Sequence, residues 1–237
     1  MTKLLSSPLS LSANPSGYSI VDSTDLTSVA SRLVLLHISE ATNQKFDSLE
    51  SAAEAIILNN FSKFKDKPAR IFPKHIAEEF RRHLEHHRYV STANEDFVTD
   101  EEGLGYENIY WRLVRKNSSS DVGPVHADRW FWELGESPFP NSHTRVKVWM
   151  PLIQDDESPS LMILPESQGK DFSYDYRLDS FGKKKPVFSD DLVTSEMISA
   201  PVRVGEAIVF HDSLLHGGKA TCKNRLSLEF TIGTRVV

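Results

Sequence analysis

The sequence predicts an α+β protein in which N-terminal helices pack on a barrel-like core of antiparallel strands. In the first half of the chain, apolar residues recur every three or four positions, which is the period of an amphipathic helix. From about residue 109 the period changes to two, as in half-buried strands. Because these strand-like runs follow one another without intervening helices, they favour an antiparallel sandwich or barrel.

The N-terminal half is predicted to hold one short strand and three helices. Residues 17–21 alternate and form the opening strand. Asp25 is placed to cap a helix that continues to about residue 37, and a second apolar stripe covers residues 47–64. A third helix is expected over residues 73–87, with its apolar residues on one face.

The C-terminal half is predicted to form the strands of the core, separated by turn-forming residues. The expected strands cover residues 109–116, 122–132, 144–152, 160–164, 202–210 and 226–237. Residues 169–200 are rich in Asp, Ser and Lys and are expected to be a long loop or lid. We therefore expect a single domain over residues 1–237, with a mainly helical part (1–105) and a β core (106–237).

Composition excludes several classes of function. The net charge of −6 argues against a nucleic-acid partner, which usually meets a basic face. No apolar run approaches the roughly 18 residues of a membrane span, and the first residues lack the continuous apolar region of a signal peptide. The single cysteine, Cys222, excludes an internal disulfide and a cysteine-rich zinc site. We expect a cytoplasmic protein that acts on a small molecule, and the sequence leaves its oligomeric state open.

The histidines carry the first chemical signal. His126 and Asp128 lie two residues apart in a strand-like run, so both side chains would point to one side. His216 follows much later, before a pair of glycines. Two imidazoles and one carboxylate form a facial triad, which holds Fe(II) and leaves coordination positions open. By itself, a His-x-Asp pair is also compatible with an ordinary hydrogen-bonded strand edge.

An arginine and a serine follow the second histidine. Arg225 and Ser227 open an alternating strand, and their spacing places them on the same face. A guanidinium fork with a neighbouring hydroxyl is suited to binding a carboxylate through charge-assisted hydrogen bonds. The sequence thus contains, in order, His-x-Asp, a distal histidine and Arg-x-Ser.

This order resembles the pattern of Fe(II)/2-oxoglutarate-dependent oxygenases, and further stretches resemble their phytanoyl-CoA dioxygenase-like branch. The similar stretches are residues 17–21, 148–152, 160–168 and 204–211. Two departures occur in the third stretch, where Glu166-Ser167-Gln168 stands in place of Gly-Ser-His and Ser160 in place of a usual glycine. Neither departure touches the three candidate metal ligands.

The resemblance implies both a fold and a function. It implies a mainly β, double-stranded β-helix (jelly-roll, cupin-like) core with flanking N-terminal helices. His126, Asp128 and His216 would bind Fe(II), and Arg225 with Ser227 would hold the distal carboxylate of the cosubstrate 2-oxoglutarate. With O₂, such an enzyme hydroxylates an unactivated C–H bond and releases succinate and CO₂. The carboxylate of Asp128 favours hydroxylation or desaturation over halogenation.

Several other residues are candidates for the pocket. Lys147 would contact 2-oxoglutarate or an anionic substrate if it faces inward, but an outward, solvated lysine fits the pattern equally. Arg112 has the same ambiguity. The aromatic residues Trp130, Trp132 and Trp149 are candidates for a wall of the substrate pocket or for contacts with the lid.

Competing interpretations stay open. His211 is a rival metal ligand, and His83, His86 and His87 have helical spacing that can bind a metal, although neighbouring arginines favour a solvated basic face. For the whole protein, the alternatives are a metal-dependent jelly roll without redox chemistry, such as a cupin-type isomerase or lyase, and a non-enzymatic small-molecule-binding module. The pair of Arg225 and Ser227 argues against the first alternative.

Overall fold

The computed structural model describes residues 14–87, 89–90, 96–135, 143–178 and 182–235. Within these ranges the chain forms two antiparallel sheets, a separate hairpin and a layer of helices. The strands are β1 (Tyr18–Asp22), β2 (Phe97–Val98), β3 (Tyr110–Val114), β4 (His143–Ile153), β5 (Leu161–Ile163), β6 (Asp175–Leu178), β7 (Lys184–Val187), β8 (Ile198–Ser199), β9 (Glu206–His211), β10 (His216–Gly218) and β11 (Arg225–Arg235).

The helices lie mainly before the core strands, as the sequence predicts. They are α1 (Thr24–Thr42), α2 (Leu49–Ala55), α3 (Phe61–Lys65), α4 (Lys74–His86), α5 (Asp128–Leu134) and α6 (Asp191–Ser195). The expected second helix is interrupted by a π-helical turn at Ile56–Asn60, which contains two asparagines, both weak helix formers. A 3₁₀ turn at Lys67–Arg70 precedes α4, and another covers Ser119–Asp121.

The larger sheet has the strand order β1-β9-β4-β11-β2, and β3 pairs with another part of β11. The smaller sheet has the order β10-β5-β8. An isolated bridge between His126 and His216 extends the smaller sheet at the point where the candidate ligands lie. Strands β1 and β2 come from the mainly helical part of the chain, so the N-terminal segment contributes directly to the larger sheet.

The two faces of the larger sheet have different surroundings. One face packs on α1 and α4 through alternating apolar residues of the long central strands, among them Val148 of β4 and Phe230 of β11. The opposite face carries the intervening residues, including Lys147 and Trp149 on β4 and Ser227 on β11. Period-two alternation therefore separates the structural core from the face that is available for chemistry.

Two sequence predictions are wrong in detail. Residues 122–132 do not form a strand: a 3₁₀ turn and the single bridge at His126 lead into α5, which begins at Asp128. An acidic residue in the first turn of a helix interacts favourably with the helix dipole, which helps this helix to begin there. Residues 169–200 are not only loop, since they contain the β6–β7 hairpin, α6 and β8.

The segment predicted to be a lid is packed on α5. Trp130 of α5, Tyr174 and Phe188 belong to a small apolar cluster that also includes Leu215, next to His216. This cluster joins the segment to the end of the molecule that holds the candidate ligands. No helix in the described part of the chain is long and apolar enough to cross a membrane.

Candidate metal centre

The structure brings His126, Asp128 and His216 together. One potential ligand atom from each residue lies within 4.8 Å of the other two. The two histidines pair through their backbones, since each backbone N–H donates to the carbonyl oxygen of the other at 2.9 Å. Asp128 reaches the same point from the first turn of α5, so a strand-to-helix turn, not a continuous strand, places the carboxylate beside the imidazoles.

Backbone carbonyls fix the orientation of both imidazoles. His126 Nδ1 lies 2.8 Å from the carbonyl oxygen of Pro124, and His216 Nδ1 lies 2.9 Å from that of Leu214. Each Nδ1 must carry the proton to donate in these bonds, so each Nε2 keeps its lone pair. The Nε2 atoms lie 3.4 Å (His126) and 3.7 Å (His216) from Asp128 Oδ1. Both lone pairs are thus available where a metal ion would bind.

The protonation states also suit a metal ion. Burial, together with the neighbouring His126, lowers the pKa of His216 to about 4, so His216 is neutral at pH 7. Burial alone would raise the pKa of Asp128, but the Lys147 ammonium and the two imidazoles hold it well below its usual range. Asp128 Oδ2 is buried and has no hydrogen-bond partner among the described residues. A neutral imidazole and an ionised carboxylate with an unsatisfied oxygen are the donor states that a cation requires.

Lys147 faces inward, which resolves one ambiguity of the sequence. Its side chain is buried, and Nζ lies 3.8 Å from Asp128 Oδ2. Burial by itself would lower the pKa of Lys147, but the carboxylates of Asp128 and Glu229 raise it above its ordinary value. The alternative of a solvated lysine is therefore wrong. Contact with 2-oxoglutarate stays a prediction.

Arg225 and Ser227 are both buried on the inner face of β11. Arg225 Nη1 donates to Ser160 Oγ at 2.8 Å, and its guanidinium lies over the ring of Trp149, 5.8 Å from the centroid. Burial and repulsion from Arg112 lower the pKa of Arg225 to about 10, which leaves the group charged at pH 7. Arg225 Nε is buried without a hydrogen-bond partner in the part of the chain that the structure describes. This unsatisfied donor fits an anionic ligand such as a carboxylate.

The serine that replaces a usual glycine thus has a structural role. Ser160 supplies the hydroxyl that Arg225 binds, and its carbonyl oxygen accepts from the backbone N–H of Lys219 at 2.8 Å. Ser167, which matches the serine of the family pattern, donates to the carbonyl oxygen of Leu164 and accepts from the backbone N–H of Leu215. Its neighbour Gln168, which stands in place of the histidine, donates from Nε2 to the carbonyl oxygen of Pro15 at 3.0 Å. The Ser160 departure therefore acts at Arg225, whereas Gln168 contacts the segment before β1.

The aromatic candidates lie in three different surroundings, and the stacking of Trp130 on Tyr174 agrees with the interpretation that it contacts the predicted lid. Trp130 is buried and stacks on Tyr174, with ring centroids 4.5 Å apart. Trp132 lies under the guanidinium of Arg145 at 4.4 Å. Phe131, which the sequence analysis did not single out, is the residue of α5 whose ring lies 5.2 Å from that of His126. Only the turn into α5 turns Phe131 toward the histidine, so a strand-based interpretation could not find it.

The remaining histidine candidates lie apart from the cluster. His211 Nδ1 lies 3.1 Å from Asp212 Oδ1 and accepts from the backbone N–H of Ser213, so its ring is oriented by its own turn. His83 stacks on His87, with ring centroids 6.3 Å apart, at the end of α4. Among the described residues, the triad is the only group of three that could hold a metal ion.

Glu229 is a site residue that the sequence analysis missed. It lies on the inner face of β11, opposite Trp149 of β4 and Tyr110 of β3. Burial alone would raise the pKa of Glu229, but Lys147 and Arg112 hold it below its usual range. The sequence contains a signal for this residue, because Glu229 continues the period-two alternation of Arg225 and Ser227 and is therefore expected on the same face.

Fold and site together define a jelly-roll protein with a preformed cluster of two histidines and one carboxylate. The family model for phytanoyl-CoA dioxygenase (PhyH) matches residues 32–225. The chain therefore belongs to the phytanoyl-CoA dioxygenase family, as the sequence resemblance predicts. A search of the curated proteins found none that matches this chain.

Solved structures with the same fold include EctD from S. alaskensis with 2-oxoglutarate and 5-hydroxyectoine. It is 12% identical, with a TM-score of 0.53, over 99% of this chain and 78% of that one. EvdO2 from Micromonospora carbonacea var. aurantiaca, complexed with 2-oxoglutarate, is 13% identical, with a TM-score of 0.52, over 100% and 95% of the two chains. SnoN, a non-heme alpha-ketoglutarate-dependent epimerase from nogalamycin biosynthesis, is 16% identical, with a TM-score of 0.53, over 95% and 81%. These comparisons confirm the predicted jelly-roll fold, and the relatives' ligands agree with the predicted cofactors.

Proposed function

We propose that this protein is an Fe(II)/2-oxoglutarate-dependent dioxygenase that hydroxylates an unactivated C–H bond of a small molecule. The main observation is the triad: one potential ligand atom each of His126, Asp128 and His216 lies within 4.8 Å of the others, and Asp128 Oδ2 has no hydrogen-bond partner among the described residues. The unpaired Nε of Arg225 on the same barrel interior supports a carboxylate-bearing cosubstrate. We include in this proposal the single domain over residues 1–237 and the cytoplasmic location expected from the sequence.

Each protein residue has a distinct role in this proposal. His126, Asp128 and His216 would hold Fe(II) through two imidazole nitrogens and a carboxylate oxygen. Arg225 and Ser227 hold the distal carboxylate of 2-oxoglutarate, and Lys147 keeps Asp128 ionised. Bound Fe(II), 2-oxoglutarate and O₂ supply the oxidation: one oxygen atom enters the C–H bond and the other enters succinate, with loss of CO₂. The partly exposed ring of Phe131 and the apolar cluster around Trp130 border the site beside the two histidines.

The outcome of the reaction is the finer part of the proposal. Proteins with this fold include the epimerase SnoN, so the fold alone does not determine the product. Asp128 supports hydroxylation or desaturation over halogenation, because it would supply a carboxylate as the third protein ligand. Hydroxylation is distinguished from desaturation and epimerisation by the mass of the product. Only hydroxylation adds an oxygen atom from O₂, which raises the product mass by roughly 16 units, or by roughly 18 when ¹⁸O₂ is supplied.

The cofactor pair is tested by anaerobic titration. Fe(II) is added to metal-free protein, then 2-oxoglutarate, and the weak visible band of the chelated 2-oxo acid is recorded. We expect a band that disappears in His216→Ala and requires at least tenfold more 2-oxoglutarate in Arg225→Ala, because the cosubstrate carboxylate loses its charged partner. Arg81→Ala, which removes an exposed arginine on α4, is the control and should match the wild type.

The substrate screen follows from this titration. Succinate release is measured against a set of small molecules, with Asp128→Ala as the inactive reference. A protein that binds the metal without forming the band would be assigned to the non-redox jelly rolls. Full activity in Asp128→Ala would show that the ligand set is wrong.

A further inference from the structure

The inner face of the larger sheet and the 3₁₀ turn beside β3 carry more guanidinium groups than the proposed cofactors use. Arg70, Arg112 and Arg225 are close enough to interact electrostatically. Burial is the largest cause that lowers the pKa of Arg70 and of Arg225, and repulsion from Arg112 is the second. Glu229 is the carboxylate that all three share, and Asp66 lies near Arg70 on the outer side. Like charges that converge in a partly buried site cost free energy unless an anion joins them.

Two of the cations on this face already have partners. Lys147 lies against Asp128, and Arg225 donates to Ser160. Arg112 differs, because its half-buried side chain has no hydrogen bond and no ion pair to any described residue. Within the described ranges, the hydrogen bond of Arg70 is a long one, from Nε to the carbonyl oxygen of Asp66 at 3.4 Å. Two guanidinium groups are thus available to a ligand.

The fold places this pair beside the metal cluster. Arg112 lies directly opposite Ser227 in the β3–β11 pairing, so it shares the inner face with Arg225. A Cβ atom added to Gly123 would lie 3.2 Å from Arg112 Nη1, so the guanidinium lies against the loop that leads to His126. Arg70 comes to the same edge because its neighbour Ile71 bridges to Tyr110 of β3. Arg70 thus belongs to a turn that adjoins β3, and Arg112 on β3 lies against the loop that carries the first candidate ligand.

We propose that Arg70 and Arg112 bind an anionic group of the substrate, a carboxylate or a phosphate. The assignment of this anion to the substrate rests on the proposed function, in which Arg225 holds 2-oxoglutarate. Fe(II) and the 2-oxoglutarate dianion together add no net charge, so cofactor binding leaves the charge balance around the two arginines, with Glu229 as their shared carboxylate, unchanged. A guanidinium pair binds planar carboxylates and phosphates through several charge-assisted hydrogen bonds. The substrate would be held at its anionic end, with the reacting carbon directed toward the triad.

The test measures anion binding to the metal-free protein, without 2-oxoglutarate. The probes are inorganic phosphate and benzoate, with benzamide as the neutral counterpart of benzoate, and chloride keeps the ionic strength constant. The midpoint of thermal unfolding is recorded against probe concentration, which gives an apparent Kd through the linkage between binding and stability. Comparison of phosphate with benzoate distinguishes the two anion classes.

We expect saturable stabilisation by at least one of the two anions and none by benzamide. Arg112→Gln and Arg70→Gln should each weaken the apparent affinity at least tenfold, and Arg112→Lys should weaken it less because the charge remains. Arg81→Gln removes an exposed arginine of α4 and should match the wild type. Arg225→Gln should keep the anion affinity but lose 2-oxoglutarate binding in the presence of Fe(II).

Three results would overturn this inference. One is the absence of anion-specific stabilisation in the wild type. Another is a loss of anion affinity in Arg81→Gln that equals the loss in Arg112→Gln. The third is a loss in Arg225→Gln with no loss in Arg112→Gln, which would place the anion at the cosubstrate position. Failure of the proposed function is distinct, since it removes the iron–2-oxoglutarate band and leaves the arginine-dependent anion binding of the metal-free protein unchanged.

Discussion

The two histidines of the cluster are prepared for a metal ion by their own backbone surroundings. Each Nδ1–H donates to the carbonyl oxygen two residues earlier, Pro124 for His126 and Leu214 for His216. Because both bonds are local, the tautomer does not depend on a distant side chain. Such outer hydrogen bonds fix ring orientation and raise the basicity of the ligating nitrogen. The metal-free protein therefore already presents both Nε2 lone pairs.

Lys147 has two opposing effects on this cluster. It keeps Asp128 ionised, which favours metal binding, and it places a positive charge near the position of a dication, which opposes metal binding. At pH 7 Asp128 is ionised, and since the two histidines also lower its pKa, we expect it to stay ionised at pH 7 without Lys147. The repulsion is then the effect that remains.

Lys147→Met should therefore bind Mn(II), a redox-stable substitute for Fe(II), on the order of tenfold more tightly at pH 7. The free energy of unfolding of the metal-free variant should be lower by about 3 kcal/mol, because Asp128 loses the cation that compensates its buried charge. Calorimetric titration with Mn(II) and urea unfolding measure the two effects. Lys147→Arg keeps the charge and serves as control. Weaker Mn(II) binding in Lys147→Met would show that Lys147 acts mainly by holding Asp128 in position.

At the scale of the elements, two short segments position the ligands. The loop of residues 122–125 leads into His126, and β10 begins at His216. The segments approach closely because β10 continues as Gly217 and Gly218: the backbone N–H of Gly218 donates to the carbonyl oxygen of Gly123 at 2.9 Å. A Cβ atom at Gly218 would lie 2.7 Å from Cβ of Val122. Glycine at this position thus permits the bridge that joins the two histidines.

Gly218→Ala should displace the loop and separate the two imidazoles. We expect a loss of stability of about 1–3 kcal/mol, typical of overpacking, and weaker Mn(II) binding. Gly169→Ala is a matched control, since nothing lies within 4 Å of a Cβ atom there. Urea unfolding and Mn(II) titration of both variants measure the difference. Equal behaviour of the two variants would contradict the importance of this close approach.

On the scale of the whole molecule, a buried polar contact joins the helical layer to the larger sheet. Trp111 of β3 donates its indole N–H to Nδ1 of His37 on α1 at 3.0 Å. Phe64 and Phe72 pack against these two rings. Burial lowers the pKa of His37 to about 4, with a smaller opposing effect of Glu40. Protonation of the accepting nitrogen would break the contact between the two layers.

This contact predicts an acid-sensitive packing of the two layers. The folded pKa of His37 lies below the unfolded value of about 6.5, so its contribution is present above pH 6.5 and is lost as the pH falls toward 4. His37→Asn keeps an acceptor for Trp111 but does not titrate. Between pH 7 and pH 4 the wild type should lose about 3 kcal/mol more stability than this variant. Parallel pH profiles in urea unfolding would contradict this role.

The sequence by itself determined the helical N-terminal part, the antiparallel core and the spacing of the candidate site residues. Period and turn chemistry are local properties, so they can be read from neighbouring residues. The order of His126, Asp128, His216 and Arg225 carried the family resemblance for the same reason. Glu229 was also within reach, since it follows the same alternation as Ser227.

Tertiary structure decided what local pattern leaves open. Lys147 and Arg112 alternate with apolar neighbours, but only packing of the helices on one sheet face shows that both side chains lie on the other face. Asp128 begins a helix because α5 packs against residues of the distant lid segment, which no local period reports. Arg70 meets Arg112 through a bridge between segments that are far apart in the chain. The faces of strands and the meetings of distant charges are long-range properties, so they arise only when the chain is folded.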